Sequence, residues 1–162
     1  MKNLPKRKHP RLQTFDYSEN GMYFLTLCIK DKEKLLCNIV GRGVLDTPSV
    51  LLTSTGKIVE KYIRSINNVE MVSVEKYVIM PDHIHLLIFV DNIHGVSRTP
   101  RPTNSIIART ISGFKRLCNK EMGKNIWQTS FFDHIIRNEE DYIKHCEYIE
   151  NNPVSWLEKH IN

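Results

Sequence analysis

Two histidines separated by one residue, His83-Ile84-His85, are the side chains of this 162-residue chain best suited to hold a metal. On a strand, side chains alternate, so both imidazoles project from one face. Neutral imidazoles paired on one face make a clamp for a divalent ion. The Met80-Pro81-Asp82 turn just ahead would fix the pair at the start of its strand. Spacing alone favours two surface histidines. A second constellation is Tyr148 and Asn152, four residues apart and therefore on one helix face. The Asn152 oxygen could complete a set of two histidines and one oxygen, with Tyr148 hanging beside the ion. A core or rim tyrosine and an asparagine that ends a helix before proline would have the same spacing. The third place is Trp127-Gln128-Thr129-Ser130-Phe131-Phe132-Asp133-His134-Ile135-Ile136-Arg137. Its aromatics could stack on bases, or fill the core of a small sheet.

The elements that must carry these residues follow from patterning. Residues 23–29 are an apolar, aromatic and β-branched run, a buried strand. Residues 39–40 and 50–52 flank a Gly/Pro/Asp-containing stretch and suit a small hairpin. Thr53 is a good N-cap for a helix whose apolar stripe is Ile58, Val59, Tyr62, Ile63 and Ile66, although Gly56 weakens it. Residues 72–80 and 83–90 read as two strands joined at Pro81-Asp82, with Ile84, Leu86, Ile88 and Val90 facing away from the histidines. Asn104 caps a second helix with the stripe Ile107, Ile111, Phe114, Cys118 and Met122, and Gly123 suits its C′ position. Residues 127–136 form a fourth strand. Asn138 caps a third helix with Glu139, Glu140 and Asp141 in its first turn, expected to stop near Asn152 at Pro153. The result is an α+β fold: a ferredoxin-like βαββαβ antiparallel sheet with helices on one face. An additional C-terminal helix is free to approach the other face.

Charge is unevenly spread. Residues 1–11 carry +5 and residues 98–124 carry +6, so with a net charge of +5 the remainder is −6. Two basic blocks on an otherwise acidic chain suit a polyanion partner. Residues 1–14 read as a basic arm, and 15–162 as one domain. The longest apolar run, 86–90, is too short for a membrane span, and no apolar stretch follows the N-terminal charges as a secretory signal requires. Four cysteines without a CxxC pair exclude a zinc ribbon and argue against a disulfide framework. A cytoplasmic, nucleoid-associated protein is the expectation.

Val78-Ile79-Met80-Pro81-Asp82-His83-Ile84-His85-Leu86-Leu87-Ile88 resembles the HUH signature of the single-strand tyrosine transposases, and most closely the REP-associated tyrosine transposase branch. The resemblance continues in order through Tyr23-Phe24-Leu25-Thr26, Phe114-Lys115-Arg116-Leu117, Trp127-Gln128, Asp133-His134-Ile135-Ile136-Arg137-Asn138 and Asp141-Tyr142 to Glu147-Tyr148-Ile149-Glu150-Asn151-Asn152-Pro153. It spans roughly residues 15–156. Three departures stand out: Asp82 where the family commonly has Asn, idiosyncratic loops at 41–49 and 91–103, and a short tail after Pro153.

The resemblance implies that Tyr148 is the nucleophile, carried by the C-terminal helix. It also implies that His83, His85 and Asn152 hold a divalent ion, Mg²⁺ or Mn²⁺. Single-stranded DNA folded into a hairpin would be cut and rejoined through a 5′-phosphotyrosine bond, by a monomer or a homodimer. Arg109, Lys115, Arg116 and Lys120 are chosen by charge and helix face as phosphate contacts. No general base is evident. His134 and Asp133 would qualify only if the fold brings them near, and bracing sheet to helix is their default role. Two other readings remain: a non-cleaving single-stranded nucleic-acid-binding module, and a metal hydrolase that activates water with His83, His85 and a carboxylate such as Asp82.

Overall fold

Alternating burial along Gly21–Cys28 (β1) sends Tyr23, Leu25 and Leu27 to one face and Met22, Phe24 and Thr26 to the other. The computed structural model describes residues 20–41, 47–91 and 106–160. The expected arm 1–14, most of the loops 41–49 and 91–103, and Asn104 lie outside them.

Four strands make the main sheet: β1, Val72–Ile79 (β4), His83–Val90 (β5) and Phe132–Ile136 (β6), in the order β4-β5-β1-β6. Every neighbouring pair is antiparallel. Cys37–Val40 (β2) and Ser49–Leu52 (β3) form the separate small hairpin that the sequence suggested. Among the described residues three α-helices accompany the strands: Ser54–Ser65 (α1), Ile106–Met122 (α2) and Glu139–His160 (α3).

The helices divide between the two faces. Val59 and Ile63 of α1 and Ile107, Ile111, Phe114 and Cys118 of α2 pack with Leu25, Leu27, Ile84, Leu86 and Ile88 of the sheet. On the opposite face Ile149 of α3 packs with Phe24 and Leu87, joined by Met22, Val78, Ile136 and Tyr142. Local chemistry explains the helix ends. The Thr53 side chain accepts the Gly56 N–H at 3.0 Å, the Asn138 side chain accepts the Asp141 N–H at 2.8 Å, and Gly123 closes α2 at φ 70°. Gly56 itself is dictated by packing, since a Cβ there would lie 2.0 Å from the Leu36 carbonyl oxygen.

Two elements differ from expectation. The fourth strand begins at Phe132 rather than at residue 127. Trp127 makes only an isolated bridge to Ile29, and its ring is buried against Phe114, so core filling explains its apolar neighbourhood. The third helix does not stop at Asn152. It runs through Pro153 to His160. A proline inside a helix forfeits one main-chain bond and crowds the preceding turn. Here Ile149, Asn152 and Pro153 are all buried, and Leu157 packs back against Gly41, where an added Cβ would lie 2.9 Å from Leu157 Cδ1. Packing on both sides of the proline offsets the missing bond.

Candidate metal centre and tyrosine site

The turn ahead of the histidines is pinned by the main chain. Ile29 N–H donates to the Asp82 carbonyl (2.8 Å), Leu36 N–H to the Pro81 carbonyl (3.1 Å), and Met80 N–H to the His83 carbonyl (2.9 Å). Met80 is fully buried. The start of β5 is therefore fixed, and strand alternation aims His83 and His85 at the face opposite α1 and α2, as expected from the sequence.

The two imidazoles converge. Their Nε2 atoms are 3.1 Å apart, with ring centroids at 4.7 Å. His83 Nδ1–H donates to Asp82 Oδ1 at 2.6 Å, and His85 Nδ1 meets Thr26 Oγ1 at 2.8 Å. His83 Nδ1 donating to Asp82 leaves a lone pair on His83 Nε2, and in the tautomer with His85 Nδ1 donating to Thr26 the second Nε2 presents a lone pair beside it, the pairing a divalent cation requires. Oxygen partners on the far nitrogens are what metal-bound histidines use to fix tautomer and ring orientation. Burial, then the neighbouring His83 and His145, pushes His85 down to about 3, so this imidazole resists protonation and keeps its lone pair. The donor set therefore fits a divalent ion.

α3 crosses this face. The Tyr148 ring lies edge-on to His85 at 5.2 Å and to Phe24 at 5.8 Å, and the residue is 52% exposed. Asn152, one turn on, is only 9% exposed. Among the described residues its carboxamide has no hydrogen-bond partner. Tyr148 and Asn152 line one open pocket of about 260 Å³ with Lys144, His145, Asn151 and Ser155. Tyr142 turns away into the α3 core and lies against Cys146.

Two residues of this site were missed in the sequence. The extension of α3 past Pro153 brings Trp156 to 6.1 Å from His83, with its other contacts to His160 (stacked, 4.3 Å) and Lys34. Reading Pro153 as a stop hid this, although Tyr148, Asn152, Trp156 and His160 recur every four residues straight through it. Lys144, one turn before Tyr148, has no sequence signal of its own, since only the fold shows which α3 face lines the pocket.

That block sits elsewhere. Arg109, Lys115, Arg116 and Lys120 belong to α2, in the layer on the other face of the sheet from the histidines. Arg116 and Lys120 border an open basic groove with Lys124, while Arg109 lies near Glu70 and Met71. Lys115 lines the same groove as Arg116 and Lys120, and its ammonium donates to the carbonyls of Gln128 (2.7 Å), Thr129 (3.4 Å) and Ser130 (3.3 Å), bracing that segment. Of the two possible bases, strand alternation turns Asp133 to the face opposite His134. His134 is held by Asp141, at 2.8 Å from Oδ2, and braces β6 against α3.

A family model described as "Transposase IS200 like" matches residues 19–152. An uncharacterized protein of Haemophilus influenzae is 29% identical over 167 residues, covering 93% of this chain and 89% of that protein. A REP-associated tyrosine transposase of Escherichia coli K12 is 24% identical over 145 residues, covering 88% and 73%. In fold the chain is similar to a REP-associated tyrosine transposase solved bound to a REP hairpin, with a TM-score of 0.59, 23% identity, and 83% and 67% of the two chains covered. With a match across most of its length, this chain belongs to the IS200-like transposase family.

Proposed function

We propose that this protein is a metal-dependent single-stranded DNA endonuclease and strand transferase that cleaves and rejoins DNA near hairpins. The observation that carries the reading is the exposed Tyr148 hydroxyl-bearing ring set against His85, beside two converging imidazole Nε2 atoms. In this reading His83, His85 and Asn152 hold a divalent ion, Mg²⁺ or Mn²⁺. When bound, it would draw charge from the scissile phosphate.

The chain's own residues do the rest. Tyr148 Oη attacks phosphorus. A tyrosyl O–P bond forms, the bond from phosphorus to the 3′-oxygen breaks, and the departing oxygen leaves as a 3′-hydroxyl once protonated. The 5′-phosphotyrosine preserves the bond energy, so a new 3′-hydroxyl can reverse the step and rejoin a strand. Phe24, itself packed with Leu87 and Ile149, meets the Tyr148 ring edge-on at 5.8 Å and helps seat it. Arg109, Arg116, Lys120 and Lys144 are the proposed phosphate contacts, Lys144 nearest the tyrosine.

The strand order of the sheet supports a ferredoxin-like βαββαβ core, with the nucleophilic tyrosine on the added C-terminal helix. We read residues 15–162 as one catalytic domain preceded by the basic arm 1–14, acting at the nucleoid. None of the helices among the described residues is long and apolar enough to cross a membrane.

Incubating labelled single-stranded hairpins with the full chain, with and without Mg²⁺ or Mn²⁺, tests this reading. Cleavage with a covalent protein–DNA adduct on denaturing gels is expected only with the ion. Hairpin binding without cleavage or adduct under all conditions would favour the binding-module reading. Cleavage without an adduct would favour the hydrolase.

A further inference from the structure

We propose that His134, Asp141 and His145 form a second divalent-metal site, suited to zinc or a similar borderline ion, that clasps α3 onto β6. The site is distinct from the His83/His85 pair and does not depend on the transposase mechanism.

The geometry is that of a ligand set. Asp141 Oδ2 and Oδ1 lie 2.8 and 3.1 Å from His134 Nε2, and Asp141 Oδ1 lies 3.2 Å from His145 Nδ1. The three ligand atoms all fall within 4.8 Å of one another, the one His/Cys/Asp/Glu group among the described residues that does so. A tetrahedral ion with bonds of about 2.0–2.1 Å holds its ligands roughly 3.3 Å apart, so small side-chain shifts open room for it. Two nitrogens and one carboxylate match the zinc-type donor set better than the all-oxygen set that magnesium prefers.

The surroundings agree. Hydrogen bonding from His134 holds the Asp141 carboxyl below the usual carboxylate range, so it is ionised and ready to ligate. Asp141 and His145 are largely covered, while the His134 side chain is 46% exposed, leaving an entry path and room for a water ligand. The two imidazoles stack at 4.6 Å with an interplanar angle of 18°, and binding would tilt the rings so that both in-plane lone pairs meet the ion. His145 Nδ1 also lies 2.8 Å from the Asp141 carbonyl oxygen; binding would exchange that bond for one to the ion, with the protons now on His134 Nε2 and His145 Nδ1 shifting to the outer ring nitrogens.

The placement gives the site a purpose. His134 comes from β6, and Asp141 and His145 from successive turns of α3, three residues short of Tyr148. One ion would join sheet and tyrosine helix at three points. The two centres are separated by a single ring: Phe24 lies 4.7 Å from His145 and 5.1 Å from His85.

The test is zinc binding to the full chain, by equilibrium dialysis and by melting temperature. A His83→Ala/His85→Ala chain lacks the first centre. It should still bind one zinc per chain and melt at a higher temperature with zinc present. Adding Asp141→Asn to that chain should weaken the binding more than tenfold, because zinc takes carboxylate, imidazole and thiolate ligands and the amide lacks the carboxylate charge. Wild type should bind two zinc ions, and a His134→Gln/His145→Gln chain one. Failure of the His83→Ala/His85→Ala chain to bind zinc at millimolar concentration would overturn the proposal. So would zinc binding that Asp141→Asn leaves unchanged. Should the first pair of substitutions unfold the chain, the wild-type count against the His134→Gln/His145→Gln count decides: equal counts refute the site. If the first centre binds no ion, wild type would take one zinc and the His134→Gln/His145→Gln chain none, so the two proposals fail separately.

Discussion

Tyr148 and Tyr142 sit on one helix and divide its roles. Tyr148 is open to solvent beside His85, whereas Tyr142 is half-buried in the α3 core. Tyr148→Phe removes one oxygen and keeps the ring against Phe24. Hairpin binding should persist while cleavage and adduct fall by more than about a thousandfold. Tyr142→Phe should cut normally, and a gel assay of both variants reads the difference directly. His85 gives a pH signature. An imidazole in the unfolded chain titrates near 6.5, but in the fold burial pushes His85 down to about 3. Between those values the unfolded chain takes up a proton that the folded chain refuses. Stability present above about pH 6.5 is therefore lost progressively as pH falls toward 3, by roughly a few kcal/mol in all. Urea unfolding in the presence of a chelator should show a shallower pH dependence for His85→Gln across that window. Equal slopes would mean that other groups dominate acid unfolding.

Elements that obey local rules were legible in the sequence, and elements settled by distant packing were not. Thr53, Asn138 and Gly123 mark their helix ends by chemistry confined to a few residues. Trp127 looked like a strand residue because aromatic content signals both strands and cores, and only the contact with Phe114 distinguishes them. Pro153 looked like a stop because its penalty is local, while its compensation, Leu157 on Gly41 and the buried Ile149, comes from elsewhere in the fold. The imidazole pair and Tyr148 were visible from alternation and from family resemblance. Trp156 and Lys144 were not, since the first required the helix to continue and the second a map of which face holds the pocket. Lys115 is the sharpest case, because a cation on a basic helix face is bonded to three carbonyls of its own chain. Lys115→Met should lower stability by about 1–3 kcal/mol in denaturant unfolding and leave the salt dependence of DNA binding in place. Arg116→Ala with Lys120→Ala should do the reverse, flattening the salt slope by about two units or slightly less. Gly56→Ala should destabilise α1 by about 1–3 kcal/mol or more, because the new methyl meets the Leu36 carbonyl.

At the scale of the whole molecule, the sheet separates two surfaces. One bears α1, α2 and the basic groove, and the other bears α3, the histidines and the pocket. A nucleic acid touching both would have to pass around a sheet edge. The tyrosine and the imidazoles meet within a single polypeptide, because α3 folds back over the sheet of its own chain. Under the proposed function, this arrangement predicts that reactivity is a property of each molecule taken singly. Under saturating DNA, the fraction of chains that become covalently attached per minute should be the same in a concentrated preparation and in a highly diluted one. Mixing chains disabled by Tyr148→Phe with chains disabled by His83→Ala and His85→Ala should yield no activity, since neither could lend its intact half to the other.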